Sequence, residues 1–253
     1  MGKKGGSRHL KRLPAPKFWP IGTKEFLWTA KPRPGPHPLD MCVPLGIVAR
    51  EYLHLARTAR EAGLMLSQGK VKVDGRIRKD EKYPVGLMDV LEIPDLKATY
   101  RVVPVERRGL ALTEVSGEEA RFKLCRIDDK RTLAGGHVQI SLHDGRSLLI
   151  KVQNPSNPTE DLYSTGASLQ IEVPSQRIMK HMKMAEGAYA IVTRGRNLGR
   201  HGKISRIEAR SALGPPIVEI KDSRGEAFRT VADYIFVVGE ESSAIKLPGE
   251  MTG

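Results

Sequence analysis

Four prolines alternate with other residues between Lys31 and Pro38, in the run Lys-Pro-Arg-Pro-Gly-Pro-His-Pro. Each proline fixes its own φ, removes a backbone donor and disfavours the α region for the residue before it. No helix can pass through such a run, so it predicts a stiff, extended strap leading into a first domain. The chain upstream of it then reads as an arm.

That arm is basic throughout. Residues 1–24 hold seven Lys/Arg and no acid: Lys3, Lys4, Arg8, Lys11, Arg12, Lys17 and Lys24. It has few aliphatic side chains for a core of its own, and its prolines block a continuous helix, which predicts an extended segment ordered by whatever it binds. Cations along such an arm displace condensed counterions from phosphates, a salt-sensitive and sequence-independent source of nucleic-acid affinity. Phe18, Trp19, Phe26 and Trp28 add planar side chains able to stack or anchor. The expected RNA contacts of this region are those basic side chains up to Lys17, together with His9 and Trp19, and Lys31 and Arg33 of the strap.

The net charge of +13 is concentrated in two blocks. Residues 1–97 hold 19 Lys/Arg against 10 Asp/Glu, residues 177–210 hold 9 against 2, and the remainder sums to −3. Two basic blocks suit two surfaces facing RNA or DNA. A membrane partner is not expected, because no apolar stretch approaches the roughly 20 residues of a spanning helix and the N-terminus lacks a secretory h-region. Cys42 and Cys125 are too few for a disulfide framework and lack the paired spacing of a zinc site, so no metal or cofactor is expected.

Leu45, Val48 and Tyr52 recur at helical spacing after Pro44, a suitable first-turn residue. Thr58 and Glu61 form a capping box for a second helix with Ala62, Met65 and Leu66 on its buried stripe and Gly69 at its end. Val71 and Val73 then alternate with Lys72, and Asp74-Gly75 predicts a type I′ hairpin. Alternation assigns Val71, Val73 and Ile77 to the core and leaves Lys70, Lys72, Arg76 and Arg78 to a ligand. With Arg57 and Arg60 near the start of the second helix, they define one basic face. This helix-helix-hairpin pattern, "QGKVKVDGRIRKDEKYPVGLMDVLEI", resembles the small RNA-binding fold named after bacterial ribosomal protein S-four. The resemblance implies that the second helix and hairpin grip structured RNA by shape and phosphate contacts.

Residues 98–176 read as short strands with turn signals such as His143-Asp144-Gly145-Arg146, which suggests a compact barrel, with a short helix at 118–126. His143 is expected in a turn or an RNA contact. In the last block, Gly195, Gly199 and Gly202 permit positive φ and close backbone approach, surrounded by Arg194, Arg196, Arg200 and Lys203. The segment "GRNLGRHG", which adds Asn197 and His201, resembles the KOW motif of small SH3-like barrels, whose loop lies against RNA or a protein partner. A phosphate-loop reading fails, since Asn197 and Ile204 stand where Gly and Ser or Thr are required. A pseudouridine synthase would need aspartate after Arg-Leu, whereas Asp144 precedes Arg146, and nothing supplies a nucleophile or oxyanion donors at recognisable spacing. An enzyme is not expected.

The order of parts, from "HLKRLPAPKFWPI" through "KPRPGPHPL", the S-four-type module and "HDGR" to "GRNLGRHG", resembles the archaeal and eukaryotic small-subunit ribosomal proteins of the S-four e-type. The implied fold class is α+β and multi-domain. It comprises a basic extended arm (1–42), a helix-helix-hairpin RNA-binding module (43–97), a β-rich barrel-like central domain (98–176), a KOW SH3-like barrel (177–240) and a mobile tail (241–253). The implied partners are small-subunit ribosomal RNA and neighbouring ribosomal proteins in an archaeal cytoplasm, with no small-molecule substrate. A non-ribosomal RNA-binding regulator or transcription factor acting through the KOW barrel is the alternative.

Overall fold

The computed structural model describes residues 7–154, 162–208 and 214–247. Lys3, Lys4 and the end of the expected tail lie outside them. The arm is folded onto the body, which corrects the expectation of an extended segment ordered only by its ligand. β1 (Leu10–Lys11) pairs antiparallel with β2 (Trp28–Thr29), and Leu10, Ala15, Trp19 and Ile21 are buried. Trp19 Nε1 donates to the Cys42 carbonyl at 2.8 Å. The arm needs no core of its own, because it contributes these side chains to one shared with the rest of the chain. The strap lies against the body too: a Cβ on Gly86 would stand 2.3 Å from the His37 ring.

In the first unit β3 (Cys42–Pro44) pairs with β6 (Pro84–Gly86). Pro44 therefore closes a strand rather than opening the helical turn α1 (Leu45–Ile47), which widens into a π turn over Val48–Tyr52. Helix α2 (Ala59–Ser67) starts at the expected capping box, with Thr58 Oγ1 accepting from the Glu61 amide and Glu61 accepting from the Thr58 amide. Ala62 and Leu66 are buried, Met65 is half-buried, and Gly69 follows in the left-handed region.

β4 (Lys72–Val73) and β5 (Arg76–Ile77) form the hairpin around Asp74 and Gly75, both at positive φ. Ile77 is 55% exposed, against the expectation that it joins Val71 and Val73 inside. The register explains this: Lys72 pairs with Ile77 and Val73 with Arg76, so residues of opposite parity share a face across the turn. β4 also pairs with β7 (Val90–Ile93), followed by β8 (Ala98–Val105) and β9 (Gly109–Glu114), in the antiparallel order β5-β4-β7-β8-β9. The boundary expected at residue 97 therefore falls inside a continuous sheet.

The expected helix at 118–126 is a single 3-10 turn, Glu119–Arg121, leading into the long strand β10 (Phe122–Thr132). Phe122 and Leu124 enter the main core while Cys125 and Ile127 enter a second one. With both faces covered, β10 loses the polar alternation that would mark a strand. β10 pairs with β13 (Ser168–Glu172) through Phe122–Arg126 and with β11 (Val138–Leu142) from Ile127 onward, with a bulge between Ile127 and Asp129. β12 (Ser147–Ile150) and β14 (Ile178–Met182) complete the order β12-β11-β10-β13-β14. β14 thus belongs to the central sheet, so the boundary expected at 176/177 also lies within a unit.

The last sheet has the order β18-β17-β16-β15-β19, from β15 (Tyr189–Val192), β16 (His201–Glu208), β17 (Ile217–Asp222), β18 (Ala227–Val231) and β19 (Ile235–Gly239). Ile245 and Leu247 are buried beyond it and the Ala244 amide bonds to the Val238 carbonyl, so the described part of the expected mobile tail packs back. One core runs through the arm, the first unit and this sheet. No described helix is long and apolar enough to cross a membrane.

Candidate nucleic-acid interface

The basic surfaces are held in register by a buried ionic network. Lys123 on β10 is buried, and its Nζ lies 2.5 Å from Asp89 Oδ1, 2.8 Å from Asp74 Oδ2 and 3.1 Å from Asp144 Oδ2. Arg146 bridges Asp74 at 2.6 Å and Asp144 at 3.0 Å, and His37 of the strap meets Asp89 at 3.0 Å. Backbone amides satisfy the remaining oxygens: Gly86 donates to Asp89 Oδ2 and Val90 to Asp74 Oδ1. Burial alone would raise the Asp89 pKa, but His37 and Lys123 more than offset that and hold it well below the usual carboxylate range. Burial would likewise lower the Lys123 pKa, but the carboxylates keep it well above its ordinary value.

His143 lies in the expected turn between β11 and β12, with its ring directed into the fold. Nδ1 accepts from the Arg126 amide at 3.1 Å, Nε2 faces the Leu87 carbonyl at 3.2 Å, and the ring meets Phe236 edge-on at 5.3 Å. Burial, with Lys123 nearby, pushes its pKa down to about 4 and keeps it neutral. It pins the central sheet to the first unit and to β19. The donor atoms of Cys125, His143 and Asp144 lie within 4.8 Å of one another, yet the histidine nitrogens face backbone groups and Asp144 is committed to Lys123 and Arg146. Of the three, Asp144 belongs to the salt network, while both His143 nitrogens are engaged with the backbone.

The expected contact residues divide by exposure. Trp19 is 1% exposed, an anchor and not a stacking surface. Arg8, His9, Lys11 and Lys17 are exposed, while Arg12 donates twice to the Ile21 carbonyl and Lys31 donates to the Ser7 carbonyl. Arg33 pairs with Asp80 at 2.9 Å. On the helix-hairpin face Arg57, Arg60 and Arg76 are exposed, but Lys70 pairs with Asp95 and Lys72 with Glu92. Arg78 lies over the Tyr83 ring at 4.5 Å.

In the glycine-arginine loop Arg194, Arg196 and Lys203 are exposed, with Arg194 3.9 Å from Asp40. Arg200 pairs with Glu226 and Asp222 over Phe228, Asn197 donates to the Arg229 carbonyl, and His201 bonds Tyr189. These last three hold the loop's shape. A Cβ on Gly199, at φ +83°, would stand 2.3 Å from the Glu106 amide nitrogen, so the loop backbone rests directly on the β8–β9 turn. Gly202 needs no positive φ; its place in β16 leaves no room beside the Lys221 carbonyl.

This contact creates a groove of about 1020 Å3 walled by the arm at Lys17 and Phe18, the turn at Arg107, the loop at Arg196 and the turn at Arg224. Four exposed cations from four separate segments line it, together with Glu106, Asp222 and Glu226.

The sequence matches family models over three segments: the RS4NT domain at residues 4–40, the S4 domain at 52–91 and ribosomal family S4e at 96–178. It is 51% identical over 248 residues to small ribosomal subunit protein eS4 of Staphylothermus marinus, covering 98% of each chain. The chain belongs to the ribosomal S4e family. The eS4 protein of Methanocaldococcus jannaschii is 45% identical, covering 98% of this chain and all of that one. The crystal structure of the S4e protein from Thermoplasma acidophilum aligns with a TM-score of 0.65 at 33% identity, over 79% of this chain and 96% of that one. Against this S4e framework, Arg107 and Arg224 are the groove residues that sequence reasoning missed. Each sits at the tip of a hairpin ending in glycine, Arg107-Arg108-Gly109 and Arg224-Gly225, which was the available signal.

Proposed function

We infer that this chain is a structural constituent of the small ribosomal subunit that binds ribosomal RNA through separated basic surfaces and supports subunit assembly and translation. The observation that carries this is its near full-length identity to proteins named small ribosomal subunit protein eS4. Those surfaces are the arm, the α2 and hairpin face at Arg57, Arg60 and Arg76, and the groove beside the glycine-arginine loop. The last sheet is read as a KOW SH3-like barrel, supported by its five antiparallel strands and by the loop between β15 and β16. The units are read as running to Glu114, from Glu118 to Met182 and from Gly187 onward, supported by the sheet order.

Several phosphate-binding surfaces on one body act at high effective concentration for each other. Because a continuous core joins them, their spacing is preset before RNA arrives, and less conformational freedom is lost on binding. Neighbouring small-subunit proteins and an archaeal cytoplasm complete the reading. Sedimentation of lysate at moderate and high salt, with the chain quantified per small subunit, tests it. About one copy surviving the salt wash is expected; sub-stoichiometric, salt-stripped material would sink it.

A further inference from the structure

Trp28 is 54% exposed, and its neighbours Phe26 and Leu27 are 62% and 64% exposed. Three consecutive large apolar side chains thus stand open to solvent on a folded segment, the kind of exposure that marks interaction sites when it is contiguous. Their exposure is set by the fold: Trp28 sits opposite Lys11 in the β1–β2 ladder, and the Arg12 amide bonds to the Leu27 carbonyl at 3.1 Å. The surroundings are cationic. Lys11 Nζ stands 5.6 Å from the Trp28 ring centroid, the His9 ring lies 5.7 Å away tilted by 60°, and Arg8 and Lys24 are exposed nearby in sequence. Between residues 7 and 39 the only acid is Glu25, whose side chain lies against Gly22.

We propose that Trp28 is a stacking platform for an unpaired RNA base, with Lys11 and His9 placed to meet the phosphate and sugar beside it. An aromatic face next to cations suits a nucleobase and its backbone together, whereas an apolar protein partner gains nothing from the charge. Phe26 and Leu27 give the base an apolar margin. The proposal rests on the RNA-binding reading above and adds to it a specific contact to single-stranded RNA.

The chain carries two tryptophans, and they report separately: Trp19 at 1% exposure is shielded and Trp28 is open to solvent. The full-length protein is titrated with small-subunit ribosomal RNA while retention on filters and tryptophan emission with acrylamide are followed together. Emission accessible to acrylamide should be lost along the retention curve, and a fully paired RNA duplex should leave it unchanged. Trp28→Leu should weaken binding on the order of tenfold with an unaltered salt slope, and Trp28→Phe should recover most of the loss. The protected Trp19 emission serves as the check that each variant is folded. RNA retained with Trp28 still open to acrylamide, or Trp28→Leu binding as tightly as the parent, overturns the stacking contact and leaves the ribosomal reading standing. RNA that is not retained at all overturns both.

Discussion

Lys123 Nζ lies 2.8 Å from Asp74 Oδ2, so a strand of the central sheet is tied to the turn of the β4–β5 hairpin 49 residues earlier. A buried ammonium so placed is tolerated only because three carboxylates surround it, and they in turn depend on it.

Lys123→Met keeps most of the side-chain volume but removes the charge, leaving Asp74, Asp89 and Asp144 short of a cation in a dry site. A loss of about 3–5 kcal/mol in unfolding free energy is expected from urea titration. A change under about 1 kcal/mol would mean that Arg146 and His37 hold the network unaided.

His143 gives the fold an acid-sensitive element. Its pKa falls from 6.5 to about 4 on burial, so below pH 6.5 the unfolded chain takes up a proton that the native chain refuses. Native stability therefore declines as pH drops from 6.5 towards 4, by about 3 kcal/mol from this group. Asp89 and Asp144, both lowered, add a further loss at lower pH as they protonate. Thermal unfolding at pH 7 and pH 4.5 should show a smaller difference for His143→Gln than for the parent.

Trp19→Ala should release the arm. The cost expected for such a truncation is about 3–5 kcal/mol. Limited proteolysis should then cut between residues 10 and 30 before the body is attacked. Continued protection of that segment would show that Leu10, Ile21 and the β1–β2 ladder are enough to dock it.

Arg107→Gln and Arg224→Gln should each lower the salt slope of RNA binding by about 1 and leave thermal stability unchanged. Gly199→Ala should weaken the same contact by a different route, since the added methyl pushes the loop off the Glu106 backbone. Salt-dependent filter binding of the three variants distinguishes lost charge from lost shape: only the arginine variants should change the slope.

On the helix-hairpin face, neutralising Arg57 and Arg60 should reduce RNA affinity more than neutralising Lys70 and Lys72. The lysines already face Asp95 and Glu92 at 3.4 and 3.7 Å, so less of their charge is available to phosphates. Equal effects in a binding titration would show that these exposed pairs open when RNA arrives.

What the sequence determined by itself is what acts over a few residues. The capping box at Thr58 and Glu61, the Asp74-Gly75 turn, the strands around residues 140 and 170 and the segregation of positive charge were all legible, because caps, turns and charge need no distant partner. The tertiary structure alone decided which of two tryptophans is a core anchor and which a surface, since Trp19 is buried by the Cys42 carbonyl and a core assembled from the whole chain. It also decided that Lys123 belongs inside, which no local pattern can announce: the free energy that keeps a charge out of water comes from Asp74 and Asp89, 49 and 34 positions away. The groove follows the same rule, because its four cations share a wall only after β8, β16, β17 and the arm have packed.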